Sequence, residues 1–270
     1  MCGRFASARK RQELLEEFSV QRDRVEEDLR PDYNVAPTKP IYAVLARRPA
    51  GDEEPADGGA GGGETLRELR VVRWGLVPSW AKDISIGSRL INARSETVAV
   101  KPAFRRAFAK RRCIIPADGY FEWQAVTKDG KQHKQPYYIY RKDGEALAFA
   151  GLYELWRDQA LPDDHERAWL WTAAIITTQA TDDVGQIHDR MPMVIAPDHW
   201  ADWLNPGNSE PGQLQATMLP AMAGGLTSHP VSTAVNYVRN NGPELIAPIP
   251  ADGDGPEASA GQEQPPGELF

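Results

Sequence analysis

The stretch from residue 113 to 180 constrains the fold most. It holds CIIPADGYFEWQ (113–124), PYYIYRK (136–142), ALAFAGLYELW (146–156) and AWLWTAAIITTQA (168–180). These runs are rich in aromatic and β-branched residues, which suit a pleated, half-buried surface. The first is expected to be two strands with a turn at Asp118-Gly119. IYAVLAR (41–47) and ELRVVRWGLVP (68–78) read as two further strands, with the Gly-rich stretch 57–63 as a long hairpin loop. MPMVIAP (191–197) and HPVSTAVNYV (229–238) complete the strand set. RPDYNVAPTKP (30–40) reads as an irregular, ordered loop. Helical spacing is confined to short segments. ARKRQELLEEF (8–18) spaces Leu14, Leu15 and Phe18 on one face. KPAFRRAFAKRR (101–112) puts Phe104 and Phe108 inward and its arginines outward. PDHWADWLN (197–205) reads as a helix with Asp198 as N-cap. The expected fold is a single α+β domain, with an antiparallel, barrel-like β-sheet core flanked by short helices.

A chain of 270 residues can bury such a core. No run of eighteen apolar residues exists, which excludes a helical membrane span. The first twenty residues carry Arg4, Arg9, Lys10, Arg11, Glu13, Glu16 and Glu17, unlike a secretory signal, so residue 1 is expected to be the start of translation. Cys2 and Cys113 are the only cysteines. They are too few for a disulfide framework or a cysteine zinc site, and a reducing cytosol is expected. No metal or organic cofactor is indicated, and a monomer is the default.

The formal charge of −7 argues against nucleic acid until its placement is considered. Residues 51–66 carry −5 with no acid balanced by a base, and residues 251–270 carry another −5. Both are Gly- and Pro-rich and poor in aromatics, and are expected to be a disordered inserted loop and a disordered tail. The remainder is mildly basic, with Lys101, Arg105, Arg106, Lys110, Arg111 and Arg112 clustered between 101 and 112. Such a cluster is either a phosphate-binding patch or a solvated helix face.

Position 2 carries the most specific chemistry. Initiator methionine is removed before a small residue, which would leave Cys2 with a free α-amine and a thiol. The amine has an ordinary pKa of about 8, so a useful fraction is neutral at pH 7. The thiol titrates near ~8.5 and is intrinsically nucleophilic. Together they form a 1,2-aminothiol. With an aldehyde, the amine gives a Schiff base and the sulfur closes on the imine carbon as a thiazolidine. Gly3 leaves room for a substrate to approach. Cys113 opens an apolar strand and reads as a buried small hydrophobe.

Three other positions are candidates. Glu122 in Tyr-Phe-Glu-Trp alternates onto the same strand face as Tyr120. Among aromatics its pKa would rise toward neutrality, whereas on a wet face it would be an ordinary ion-paired carboxylate. His188 in Gln-Ile-His-Asp-Arg is either a proton-transfer group or a turn cap. Asn92 and Arg94 in INARSE share a face if extended, where they could bind a phosphate or sugar.

These segments also occur in a recognisable order. MCGRF (1–5), YNVAPT (33–38), RWGLVPSWAKD (73–83), INARSET (91–97), FRRAFAKRRCIIPADGYFEW (104–123), FAGLYELW (149–156), TTQAT (177–181) and IHDRMPMVI (187–195) resemble the SRAP-domain family. These are abasic-site processing proteins once called SOS response-associated peptidases. The resemblance implies a domain over 2–245, with 51–66 inserted and 246–270 as the tail. It implies a partner: single-stranded DNA, or a single-strand/duplex junction, bearing an abasic site. Cys2, freed of Met1, would capture the ring-opened sugar aldehyde as a thiazolidine crosslink. Glu122 and His188 would move protons, and Asn34 and Asn92 would position Cys2 and the sugar. Arg4 and Arg94 would bind phosphates, with Arg105 or Arg106 as further candidates, and Trp74 would lie near the DNA and stack on a base. Weak abasic-site lyase and self-processing peptidase activities are implied as well. Two rival readings are an N-terminal-nucleophile amidotransferase and a non-catalytic single-strand binding module.

Overall fold

A computed structural model describes residues 2–48, 65–128, 130–162, 164–166, 168–216, 218 and 225–249. The expected hairpin loop at 57–63, nearly all of the acidic insert and the acidic tail from residue 250 lie outside the described residues. The elements are β1 (Phe5–Ser7), α1 (Arg11–Glu17), β2 (Arg22–Asp23), β3 (Asp32–Val35), β4 (Pro40–Arg47), β5 (Leu66–Trp74), β6 (Asn92–Arg94), α2 (Arg105–Lys110), β7 (Arg112–Ala117), β8 (Gly119–Lys128), β9 (Lys131–Arg141), β10 (Leu147–Arg157), β11 (Trp169–Gln179), β12 (Arg190–Pro192), α3 (Trp200–Leu204), α4 (Pro211–Ala216) and β13 (Leu226–Pro230).

Strands β11, β10, β7, β4 and β5 form a ring that β5 closes by returning to β11. Within it, β10 pairs antiparallel with β11 and β7, and β4 pairs antiparallel with β7 and β5. The closing pair is parallel, through Thr172↔Arg73 and Ala173↔Trp74. β6 also lies parallel to β11, through Ile175↔Asn92 and Thr177↔Arg94. The barrel is as expected, but its closing pair departs from the antiparallel pattern. β5 and β11 are remote in sequence, so the chain can return in either direction. A second sheet runs β13-β9-β8-β1-β3, antiparallel throughout.

The Asp118-Gly119 step does more than turn the chain. It ends β7 in the barrel and starts β8 in the second sheet. Asp118 accepts the Ala8 amide and the Arg9 Nε, which ties the end of β1 to this corner. A Cβ on Gly119 would sit 2.5 Å from the Tyr138 ring, so the corner accepts only glycine.

Strand alternation divides the core. Cys113, Ile115 and Phe149 pack with Cys2, Phe5, Tyr120 and Ile139, joining the barrel to the second sheet. Ile114, Ala148 and Ala150 face the other way, toward Leu14, Phe18, Phe104, Phe108 and Trp203 of the helical layer. Cys113 is a fully buried small residue, as expected.

Several elements differ from the sequence reading. The stretch 30–40, expected as a loop, contains β3 and the first residue of β4, and β9 starts at Lys131 rather than at 136. The helix before β7 is only Arg105–Lys110, and Arg112 is not on its outer face. Arg112 is buried and donates to the carbonyls of Phe108, Ala109, Trp203, Asn205 and Asn208. Asp198 does not cap a helix: a 3-10 turn, Pro197–His199, comes first, with Ala196 at its N-cap. The last strand stops at Pro230, because the Ser232 hydroxyl accepts the Ala234 amide and starts a 3-10 turn over Thr233–Asn236. The chain stays on the second sheet up to Ile249, whose amide donates to Pro230.

Candidate active site

Cys2 is fully buried at the barrel–sheet junction. β1 puts it there: Phe5 is paired with Val35 on one side and Tyr120 on the other, and the Arg4 carbonyl accepts the Phe121 amide. From the barrel side, Asn92 Nδ2 donates to the Cys2 carbonyl at 2.7 Å. Asn92 Oδ1 is buried with no hydrogen-bond partner among the described residues. The Cys2 Sγ lies 3.9 Å from the Arg4 carbonyl. Burial, and then the charge of Glu122, push the thiol well above its ordinary range. The sulfur is therefore a thiol, not a thiolate, near neutral pH.

Glu122 shares this end of the core. It is 2% exposed, and burial lifts its carboxyl from the usual value to about 7, with Asp189 adding to the rise. His188 Nε2 stands 3.9 Å from Glu122 Oε2. His188 Nδ1 lies 2.9 Å from the Arg190 amide and 2.9 Å from Asp189 Oδ1. The first contact needs a lone pair on Nδ1 and the second needs a proton. Burial, the largest cause, lowers the imidazole pKa. The neutral ring with its proton on Nε2, toward Glu122, satisfies the Arg190 contact. Arg190 itself grips Glu96 at 2.6 and 3.1 Å and the Thr177 carbonyl at 2.7 Å, which fixes the His188 segment on β11. Glu122 and His188 open into a cleft of about 390 Å³, whose other walls are Trp123, Lys134 and Asn236.

The other sequence candidates divide. Asn92 and Arg94 are extended on one face of β6, and Arg94 is exposed with no ion pair among the described residues. Arg4 and Asn34 are clamps. Arg4 Nη1 donates to Asn34 Oδ1 at 2.6 Å and to the Val235 carbonyl at 2.8 Å. The fully buried Asn34 amide donates to the carbonyls of Val235, Tyr237 and Asn240. Together they hold segment 235–240 beside Trp123, whose Nε1 donates to Asn236. Trp74 is fully buried, edge-on to Phe5 at 5.1 Å, with its Nε1 on the Ile91 carbonyl. It cannot stack on a base from there; the exposed tryptophan of that segment is Trp80, at 58%. Arg105 and Arg106 are exposed on α2. Their helix packs on the layer opposite to the one containing Cys2, so the fold does not bring them to the site. Lys134 and Asn236 went unnoticed in the sequence. The β8–β9 register that puts Lys134 opposite Ala125 has no local signal.

The fold and site define a β-barrel protein with a cysteine at position 2, a carboxyl and an imidazole gathered where a second sheet meets the barrel. The chain belongs to the SRAP family, described as SOS response associated peptidase, whose model matches residues 1–238. It is 40% identical over 246 residues to the abasic site processing protein YoaM of Bacillus subtilis, covering 91% of this chain and 97% of that one. It is 32% identical to the abasic site processing protein YedK of Escherichia coli, covering 92% and 100%. With the abasic site processing protein HMCES of Gallus gallus it shares 33% identity, over 82% of this chain and 67% of the other. A crystal structure of a Bacteroides thetaiotaomicron protein superposes with a TM-score of 0.71 at 26% identity, covering 92% and 100%.

Proposed function

We propose that this protein processes abasic sites in DNA by capturing them covalently. In this reading Cys2, made N-terminal by loss of Met1, ends as a thiazolidine with the C1′ aldehyde of an abasic site in single-stranded DNA. The crosslink shields the lesion from strand cleavage. The relatives named as abasic site processing proteins support the lesion class. The chemistry rests on one observation: a Cys2 backbone held by Asn92 shares a buried end of the core with a carboxyl poised near 7.

The protonation states order the steps. The thiol is held protonated, so the α-amine attacks first, giving a carbinolamine. Glu122, about half protonated at neutral pH, gives its proton to the departing hydroxyl, and water leaves the iminium. The Glu122 carboxylate then takes the thiol proton as sulfur bonds to C1′, and the C=N pair returns to nitrogen. Aldehyde and aminothiol thus become thiazolidine and water, and Glu122 ends as it began. His188, neutral with Nε2–H toward Glu122, assists proton movement at the sugar oxygen. Asn92 Oδ1, buried without a partner, offers an acceptor to the amine or a sugar hydroxyl. Arg94, on the same face, binds a flanking phosphate. β-Elimination from the same Schiff base would give a weak lyase activity.

The test is intact mass spectrometry before and after incubation with an oligonucleotide carrying one abasic site. Met1 should be missing, and the adduct should survive denaturation without borohydride. Cys2→Ala should abolish it. Retained Met1, or no adduct, would sink the aminothiol reading.

A further inference from the structure

Tyr120 carries a polar atom that the fold leaves unused. It is fully buried, and its hydroxyl has no hydrogen-bond partner among the described residues. Leaving a buried hydroxyl unmet is costly, so such an atom calls for an explanation. Its ring is fixed on three sides. β8 pairs it with Phe5 of β1 and Ile139 of β9, and its ring meets Phe149 edge-on at 6.0 Å. Alternation along β8 puts it on the face of Glu122, and it packs in the same cluster as Cys2. Burial, and then the acidic groups of Cys2 and Glu122 beside it, raise its pKa and hold the hydroxyl firmly protonated. It can therefore donate a hydrogen bond without losing its proton.

Resting on the crosslinking reading above, we infer that the Tyr120 hydroxyl is a donor to the Cys2 sulfur during ring closure. In that step the S–H proton passes to the Glu122 carboxylate, the S–C1′ bond forms, and the iminium π pair moves to nitrogen. Negative charge gathers on sulfur before the new bond is complete. A hydroxyl that is already buried and already ordered can meet that charge without reorganisation. The earlier steps, amine attack and loss of water, place no charge on sulfur and do not need it. Tyr120 thus speeds closure of the open Schiff base to the thiazolidine.

The experiment separates the two species. Tyr120→Phe removes one oxygen and keeps the ring. Schiff base is trapped with borohydride at early times, and closed crosslink is measured as adduct that survives denaturation without it. The variant should form Schiff base at the wild-type rate and close roughly tenfold or more slowly, the loss expected for a hydrogen bond to a charged atom. More of the Schiff base should then partition to strand cleavage. The variant should melt no lower than wild type, since it loses an unmet polar atom. Closure at the wild-type rate in a folded Tyr120→Phe protein would overturn the inference. A wild-type protein that gives no Cys2-dependent adduct fails differently, and overturns the crosslinking reading itself.

Discussion

Glu122 is an example of a residue whose environment works against its charge. Its carboxyl titrates near 7 in the folded chain against about 4.5 when free, because burial disfavours the ionised form. The folded state therefore holds this proton more tightly than the unfolded state does. The stability this gives is full below pH ~4.5 and is lost as pH rises through about 7. Glu122→Gln should raise stability by about 1–3 kcal/mol near pH 8 and by little near pH 4.5. Thermal melts at the two pH values check this; a difference independent of pH would refute it. In catalysis the Gln substitution acts the other way. Wild-type crosslinking should fall as pH rises above about 7, and the variant should be slower throughout and lack that limb. This residue was legible in the sequence: alternation in Tyr-Phe-Glu-Trp predicted the shared face of Tyr120 and Glu122. Trp74 was not, because a tryptophan at the end of a strand looks the same whether it meets a base or, as here, the Phe5 ring. Only the register of the neighbouring strands tells in from out.

At the scale of elements, the basic stretch 101–112 splits into two kinds of arginine. Arg112 at the start of β7 satisfies five carbonyls, including the ends of α2 and α3. Arg112→Ala should cost about 3–5 kcal/mol, since those acceptors stay buried without a donor; a denaturant midpoint close to wild type would contradict that role. Arg105→Ala with Arg106→Ala should leave crosslinking within about twofold, because α2 packs on the face away from Cys2. Arg94→Ala, on β6, should weaken DNA binding and lower the salt slope by about one phosphate; an unchanged slope would remove Arg94 from the interface. The sequence showed most strands and the Phe104–Phe108 face of α2. It did not show that HPVSTAVNYV breaks after Pro230, because a single Ser232 side chain, hydrogen-bonded to the Ala234 amide, outweighs a β-prone composition.

At the scale of the molecule, charge and topology matter most. The tail 251–270 carries five acids and no base, and the chain outside this tail and the acidic insert 51–66 is mildly basic. Deleting it should raise affinity for undamaged DNA at low salt, and equal affinities in a salt titration would count against a shielding role. The barrel itself was legible, since its strands are β-rich. Its parallel closure by β5 and β11 was not, because no local pattern specifies which distant edge a strand will meet. A further consequence follows from the clamp that joins Arg4 to Val235, 231 residues apart in sequence. At ribosomal rates of 5–20 residues per second, Cys2 waits roughly 10–50 s between its own synthesis and the arrival of the segment that clamps the neighbouring Arg4. During that interval its end of the chain is bare, and on the crosslinking reading this is when an aminopeptidase can trim Met1 and when any free aldehyde in the cell can reach Cys2. If Met1 is removed, the closure that buries Cys2 in the finished protein thus confines that trimming to the time of birth.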